Sequence, residues 1–185
     1  MWALFLDRDG VLNHSIVKDG KPFAPTTLAD FEFLPGVKDA LLLTKSAGFL
    51  NIVVTNQPDL STGKIDPEQS RLILEHCFLQ LDLDDIKVCP HLDIDQCDCR
   101  KPLPGMIFNA AKEYGIDVSK SYMIGDRWRD IECGQAAGCK TNFFIDYGYS
   151  EKMPEPPYTL VRNLVEAVQI ILEETQLLKL REKYE

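Results

Sequence analysis

The chain has 185 residues, 45% of them apolar and 26% charged, which suits one domain with a short appendage and lies outside the composition of disordered chains. At this size folding buries roughly 70% of the unfolded surface, so no covalent staple is needed to hold a core. Twenty Lys plus Arg against twenty-nine Asp plus Glu give a formal charge of −9, which argues against a nucleic-acid or anionic-membrane surface as the working face.

The first apolar run, Trp2 to Leu6, has the length of a strand and stops at Asp7-Arg8-Asp9-Gly10. An acid this early leaves no room for a signal-peptide apolar region. No later segment approaches the roughly 18 apolar residues of a membrane span, so the expected location is the cytoplasm. Residues 16–23 read as a small hairpin turning at Asp19-Gly20, a candidate rim beside the first acidic cluster. A helical pattern over 37–46, entered through Pro35-Gly36 and left through Ala47-Gly48, precedes an apolar strand over 50–54 that stops at Thr55-Asn56. A second helix is expected over 67–81, with Leu72, Ile73, Cys77 and Leu79 on its buried side. A strand at 86–88, a helix over 105–114 closed by Gly115, and a strand at 122–124 follow. Gly125-Asp126 comes next, then a helix over 129–137 and a strand over 141–145. The last helix is expected at about 159–184, buried through Leu160, Leu164, Val168 and Ile171 or Leu172. Its far end, 176–181, extends past what closing a sheet requires and offers a dimer contact, although a self-sufficient core favours a monomer.

Apolar strands alternating with helices predict an α/β fold with a mainly parallel sheet covered by helices on both faces. No insertion is long enough for a cap domain, so the whole chain, 1–185, reads as one unit. In such sheets ligands bind beyond the carboxyl ends of the strands, where Asp7/Asp9, Thr55/Asn56 and Asp126/Asp130 are expected to gather. Two carboxylates two residues apart past a buried strand suit covalent catalysis: one attacks an electrophile while the other protonates the leaving group and later activates water. Asp7, Asp9 and Asp126 gathered bare would repel one another, and a divalent cation is the simplest way to keep them ionised.

The second cluster is Cys89-Pro90-His91, followed after five residues by Cys97-Asp98-Cys99-Arg100-Lys101-Pro102. In a reducing compartment three thiolates and one imidazole form a complete tetrahedral Zn²⁺ set with no open position, hence a structural zinc loop at 89–99 that fixes Arg100 and Lys101. Cys77, Cys133 and Cys139 fall outside the spacing and read as small core residues. Leu60-Ser61-Thr62-Gly63-Lys64 lacks the spacing of a nucleotide-binding loop.

The order Asp7-x-Asp9, Thr55, Lys101, Gly125-Asp126-x-x-x-Asp130 resembles the phosphatases of the haloacid-dehalogenase superfamily. With the four zinc ligands it is similar to the small capless branch holding the heptose-1,7-bisphosphate and histidinol-phosphate phosphatases. The resemblance spans about residues 3 to 148 and implies a Rossmann-like, haloacid-dehalogenase-like fold. It implies a Mg²⁺-dependent phosphomonoesterase in which Asp7 becomes an aspartyl-phosphate and Asp9 is the general acid and base. The Asp7 and Asp126 carboxylates with the Asp9 carbonyl would hold Mg²⁺. Thr55 and Lys101 would bind the transferring phosphoryl beside Asn56, and Asp130 would orient the metal shell or Lys101. Arg100 is the candidate grip for a second phosphate, its planar fork suiting bidentate contact, and Arg8, Lys64, Arg127 and Arg129 could add positive potential.

Phe31-Glu32-Phe33-Leu34-Pro35-Gly36, Arg100-Lys101-Pro102-x-Pro104-Gly105-Met106 and Ser121-Tyr122-Met123 favour a heptose bisphosphate, dephosphorylated at C7. The short gap between His91 and Cys97 is more like the histidinol-phosphate type, which stands as the alternative. A nucleic-acid 3′-phosphatase would need a basic, aromatic-lined track that the chain lacks. A zinc-stabilised binding module without catalysis would have lost some of Asp7, Asp9, Lys101 and Asp126, and all four are present.

Overall fold

Strand β1 (Trp2–Leu6) is apolar throughout because both of its faces are covered: Leu4 and Leu6 point into one core, Ala3 and Phe5 into the other. It pairs in parallel with β4 (Phe49–Asn56) on one side and β6 (Tyr122–Gly125) on the other. With β5 (Asp85–Cys89), β7 (Thr141–Ile145) and β8 (Thr159–Val161) it forms a six-stranded parallel sheet in the order β5-β4-β1-β6-β7-β8. The structure, a computed structural model, describes residues 1–184, with side chains for 1–178 and 180.

Helices α1 (Val37–Ser46), α2 (Pro67–Gln80) and α5 (Leu164–Tyr184) cover the face of Leu4 and Leu6, whereas α3 (Gly105–Tyr114) and α4 (Trp128–Ala137) cover the other. Their ends are set locally. The Asp66 side chain accepts from Glu68 N ahead of α2, which has Pro67 in its first turn, and left-handed Gly115 and Gly138 close α3 and α4. The chain first builds outward from β1 to β4 and β5, then crosses to β6 on the opposite side. That reversal opens a crevice beyond the carboxyl ends of β1 and β6.

The hairpin forms as read: β2 (Ile16–Lys18) and β3 (Lys21–Phe23) pair antiparallel around Asp19 and Gly20, both with positive φ, 51° and 71°. It is a separate two-stranded sheet at the mouth of the crevice.

Two expectations need correction. The segment expected to open the last helix is the edge strand β8, paired from Thr159 with Phe143, and α5 starts at Leu164. Three residues carry too little periodicity to separate the two readings, and Leu160, placed in the buried stripe, is 62% exposed, while Leu164, Val168 and Ile171 are buried. In α2 the buried side runs through Ser70, Ile73 and Cys77, and Leu79 is 79% exposed. Two residues beyond Cys77 is about 200° around the helix, which turns Leu79 away from the core. Among the described residues no helix is long and apolar enough to cross a membrane.

Candidate active site

Asp7 is the first residue past β1, and its N–H still donates to Ile124 O (3.0 Å), so the β1–β6 ladder holds it directly over the crevice. Asp126 follows β6, and Asp130 lies in the first turn of α4. Carboxylate oxygens of these three acids lie within 4.8 Å of one another, and all three residues are buried. Lys101 reaches them from the far side of the zinc loop, with Nζ 2.8 Å from Asp7 Oδ1 and 2.6 Å from Asp130 Oδ1. Asn56 clamps that lysine by its backbone: Asn56 Nδ2 donates to Lys101 O and Lys101 N donates to Asn56 Oδ1, both at 3.1 Å.

Three carboxylates share a single buried ammonium. Burial, reinforced by the Asp130 charge, pushes Asp7 up to about 6. Burial, with Asp7 and Asp130 adding to it, raises Asp126 well above the ordinary carboxylate range. Burial opposes the Lys101 charge, but Asp130 and Asp7 outweigh it and keep the pKa above the usual lysine value. The cluster is therefore short of positive charge. One oxygen, Asp126 Oδ1, is buried with no hydrogen-bond partner. An all-oxygen, charge-deficient donor set with a free carboxylate oxygen fits Mg²⁺. Gly10 makes the approach possible: with φ +82° and no Cβ, it leaves room for Asp126 Oδ2, which a Cβ would meet at 1.9 Å.

Asp9 faces the same cleft and is held by several donors. Arg8 Nη2 donates to Asp9 Oδ2 (2.9 Å) and Arg8 Nε to Oδ1 (3.3 Å), Asn13 Nδ2 donates to Oδ1 (2.9 Å), and Gln57 Nε2 donates to Oδ2 (2.9 Å). Arg8, expected to contribute surface potential, is instead buried beneath this carboxylate. Lys64 is solvated, whereas Arg127 and Arg129 line the cleft together with Lys21 from the hairpin. The cleft measures about 270 Å³.

Of the residues expected to contact substrate, Asn56 and Lys101 lie on the cleft wall. Thr55 is buried behind Gln57, whose amide donates to its hydroxyl at 2.9 Å. Arg100 is turned away from the cleft: its Nε donates to Asp93 Oδ1 (2.8 Å) and its Nη1 to His91 O (2.9 Å). The reason is local, because the Asp93 carboxylate in the zinc loop supplies the anionic partner that the guanidinium was expected to find in a substrate phosphate. Asp93 also accepts from Arg129 Nη1 at 3.2 Å, yet Arg129, unlike Arg100, keeps a place on the cleft wall.

Cys89, His91, Cys97 and Cys99 converge at the end of β5. Cys99 Sγ lies 3.2 Å from Cys89 Sγ, 3.4 Å from Cys97 Sγ and 3.3 Å from His91 Nδ1, and Cys89 Sγ lies 3.7 Å from Cys97 Sγ. Tetrahedral Zn²⁺ with Zn–S and Zn–N bonds of about 2.3 and 2.0 Å has edges of about 3.5–3.8 Å, so the set fits zinc after small adjustments. All six cysteines are free, and Cys77 and Cys133 are core residues.

The motifs did not reveal Gln57 or Arg8 as partners of Asp9, although both flank motif residues. Nor did they reveal Tyr149, whose hydroxyl donates to Asp126 Oδ2 (2.9 Å) from a loop that no motif includes.

A doubly wound parallel sheet with these acids across its switch point is the framework of the haloacid-dehalogenase-like phosphatases. A HAD-hydrolase-like family model matches residues 98–167. The D-glycero-β-D-manno-heptose-1,7-bisphosphate 7-phosphatase of Haemophilus ducreyi is 37% identical over 160 residues, covering 79% of this chain and 84% of its own. That of Escherichia coli K12 is 37% identical over 160 residues, covering 79% and 80%. A crystal structure of D,D-heptose 1,7-bisphosphate phosphatase from B. bronchiseptica, complexed with magnesium and phosphate, superposes with a TM-score of 0.81 at 28% identity, covering 94% of this chain and 99% of that one. The chain belongs to the family of the heptose-1,7-bisphosphate 7-phosphatases, and it is a phosphomonoesterase.

Proposed function

We propose that the protein removes the C7 phosphate of D-glycero-D-manno-heptose 1,7-bisphosphate through an aspartyl-phosphate on Asp7. The observation that carries the chemistry is the salt bridge of Asp7 to a buried lysine beside Asp126, at the switch point of the sheet. The substrate rests on the 37%-identical relatives and on three cations, Lys21, Arg127 and Arg129, around a cleft in an otherwise acidic protein.

Asp7 attacks phosphorus in line while the ester oxygen takes a proton from Asp9. Asp9 then takes a proton from the water that attacks the aspartyl-phosphate, so phosphate leaves and both carboxyl groups return to their starting states. Lys101 neutralises charge on the transferring group, and Asp130 and Asn56 hold Lys101 in place. The cofactors are Mg²⁺ for catalysis and Zn²⁺ for structure. Asp7 and Asp126, with the Asp9 carbonyl, would hold Mg²⁺, which supplies compensation for the phosphoryl oxygens. Cys89, His91, Cys97 and Cys99 would hold Zn²⁺ and fix the segment that presents Lys101. Arg129 replaces Arg100 as the candidate contact for the second phosphate. One copy supplies every group named, so a monomer, folded as a single domain, suffices. Three reduced thiolates on zinc suit a cytoplasmic enzyme.

The test is kcat/KM for both anomers of the heptose bisphosphate and for L-histidinol phosphate, on zinc-loaded protein with Mg²⁺. A preference for a heptose bisphosphate of more than about 100-fold, roughly 2.7 kcal/mol, is expected, with no phosphate release by Asp7→Asn. Preference for histidinol phosphate overturns the substrate, and turnover by Asp7→Asn overturns the mechanism.

A further inference from the structure

Beyond β7 the chain turns back over the cleft. Gly148 N donates to Asp146 Oδ1 (2.7 Å), Gly148 takes φ +68°, and the return presents Tyr147, Tyr149 and Glu151 to three different parts of the site. Tyr147 Oη donates to Gly10 O (3.0 Å), and Arg127 Nε donates to Glu151 Oε2 (3.0 Å). Ser150 N donates to Gly20 O at the hairpin turn (2.7 Å). Tyr149 alone touches a carboxylate of the acidic cluster, donating to Asp126 Oδ2 at 2.9 Å, with its ring 5.7 Å from that of Tyr147.

This hydroxyl divides the labour of the two Asp126 oxygens. The carboxyl torsion of an aspartate is intrinsically broad and close to two-fold, so without a partner either oxygen, or neither, could face Asp7. Here Oδ2 is taken by Tyr149 in the space left by Gly10, and Oδ1 stays buried and unpartnered. We propose that Tyr149 is a positioning residue that locks the Asp126 carboxylate by Oδ2, presents Oδ1 to the divalent cation, and so sets the affinity for Mg²⁺. The inference rests on the reading that Asp126 is a ligand of that cation. Groups that orient metal ligands from behind commonly govern affinity in this way.

The test is direct Mg²⁺ binding to zinc-loaded, substrate-free protein by titration calorimetry, with phosphatase kinetics on an aryl phosphate as a second readout. Tyr149→Phe keeps the ring and removes only the donor. It is expected to weaken Mg²⁺ binding about 10- to 100-fold and to recover most of kcat at saturating Mg²⁺ with KM for the aryl phosphate unchanged. Tyr147→Phe, in the same segment but with its hydroxyl on a backbone carbonyl, is expected to bind Mg²⁺ as the parent does. Parent-like binding by Tyr149→Phe, equal weakening by Tyr147→Phe, or a loss of kcat that saturating Mg²⁺ does not restore overturns the inference. Asp126→Asn separates the two levels: if it binds Mg²⁺ like the parent, the ligand assignment itself has failed.

Discussion

Gly10 carries the sharpest demand on a single residue. Its φ of +82° suits glycine, and an added Cβ would lie 1.9 Å from Asp126 Oδ2 and 2.4 Å from its carboxyl carbon. Gly10→Ala must therefore displace either the Asp9–Gly10 turn or the Asp126 carboxylate. A fall in kcat/KM of at least about 100-fold, or 2.7 kcal/mol, is expected while the far-ultraviolet circular dichroism stays native. Retained activity would show that the close packing of Gly10 on Asp126 is dispensable. The Asp9 neighbourhood shows where reading single residues falls short. Arg8 and Asp9 are adjacent, and nothing in Asp-Arg-Asp-Gly says that the guanidinium folds beneath its neighbour and is buried to 1% exposure. Tyr149 was beyond reach for another reason: its partner is 23 residues away in sequence, and only the return of the loop brings them together.

Among the elements, the segment from Cys89 to Gly105 ties the edge of the sheet to its centre. Cys89 ends β5, and Asp98 O accepts from Gly105 N (3.0 Å) at the start of α3. Between those anchors Arg100 and Arg129 meet on Asp93, and Arg129 Nη1 also donates to Lys101 O (3.3 Å). Stripping zinc, or replacing Cys97 by Ser, is expected to lower both the unfolding temperature and kcat/KM, the latter at least about 10-fold, as the lysine loses its mooring. Metal content and activity measured on the same preparations check this, and full activity in zinc-free protein would remove the link. Most elements were legible because long apolar runs and helical periodicity with Pro and Gly boundaries leave few alternatives: the ends of α1 and α3 agree with the reading to the residue. β8 was not legible, since Thr159–Val161 gains its identity only by pairing with Phe143–Ile145. The order of acids, lysine and zinc ligands was legible, but the direction of Arg100 depends on Asp93 across a turn and was not.

For the molecule as a whole, the acidic cluster sets stability against catalysis. Burial first, then Asp130, holds the Asp7 carboxyl near 6 against an ordinary 3.8, so the folded chain without Mg²⁺ keeps a proton that the unfolded chain releases. Between about pH 4 and 6 the native state binds more protons, and the stability contributed by Asp7 is lost as pH rises through 6, by up to about 3 kcal/mol. Asp126 acts in the same direction. A cation that replaces those protons must therefore stabilise more as the pH rises. Urea midpoints measured with and without Mg²⁺ are expected to separate progressively as the pH rises from about 5 through the Asp7 value of about 6, and a separation independent of pH would contradict this account. The hairpin stands apart from that balance. Its two strands pair only with each other, and Ser150 N reaches Gly20 O from the loop between β7 and β8. Because it contributes Lys21, Pro22 and Phe23 to the cleft wall without a place in the main sheet, this stretch can vary in sequence at little cost to folding. The architecture thus separates a reaction floor built into the main sheet from a wall that lies outside it, and a lineage can change what the enzyme accepts while leaving how it cuts untouched.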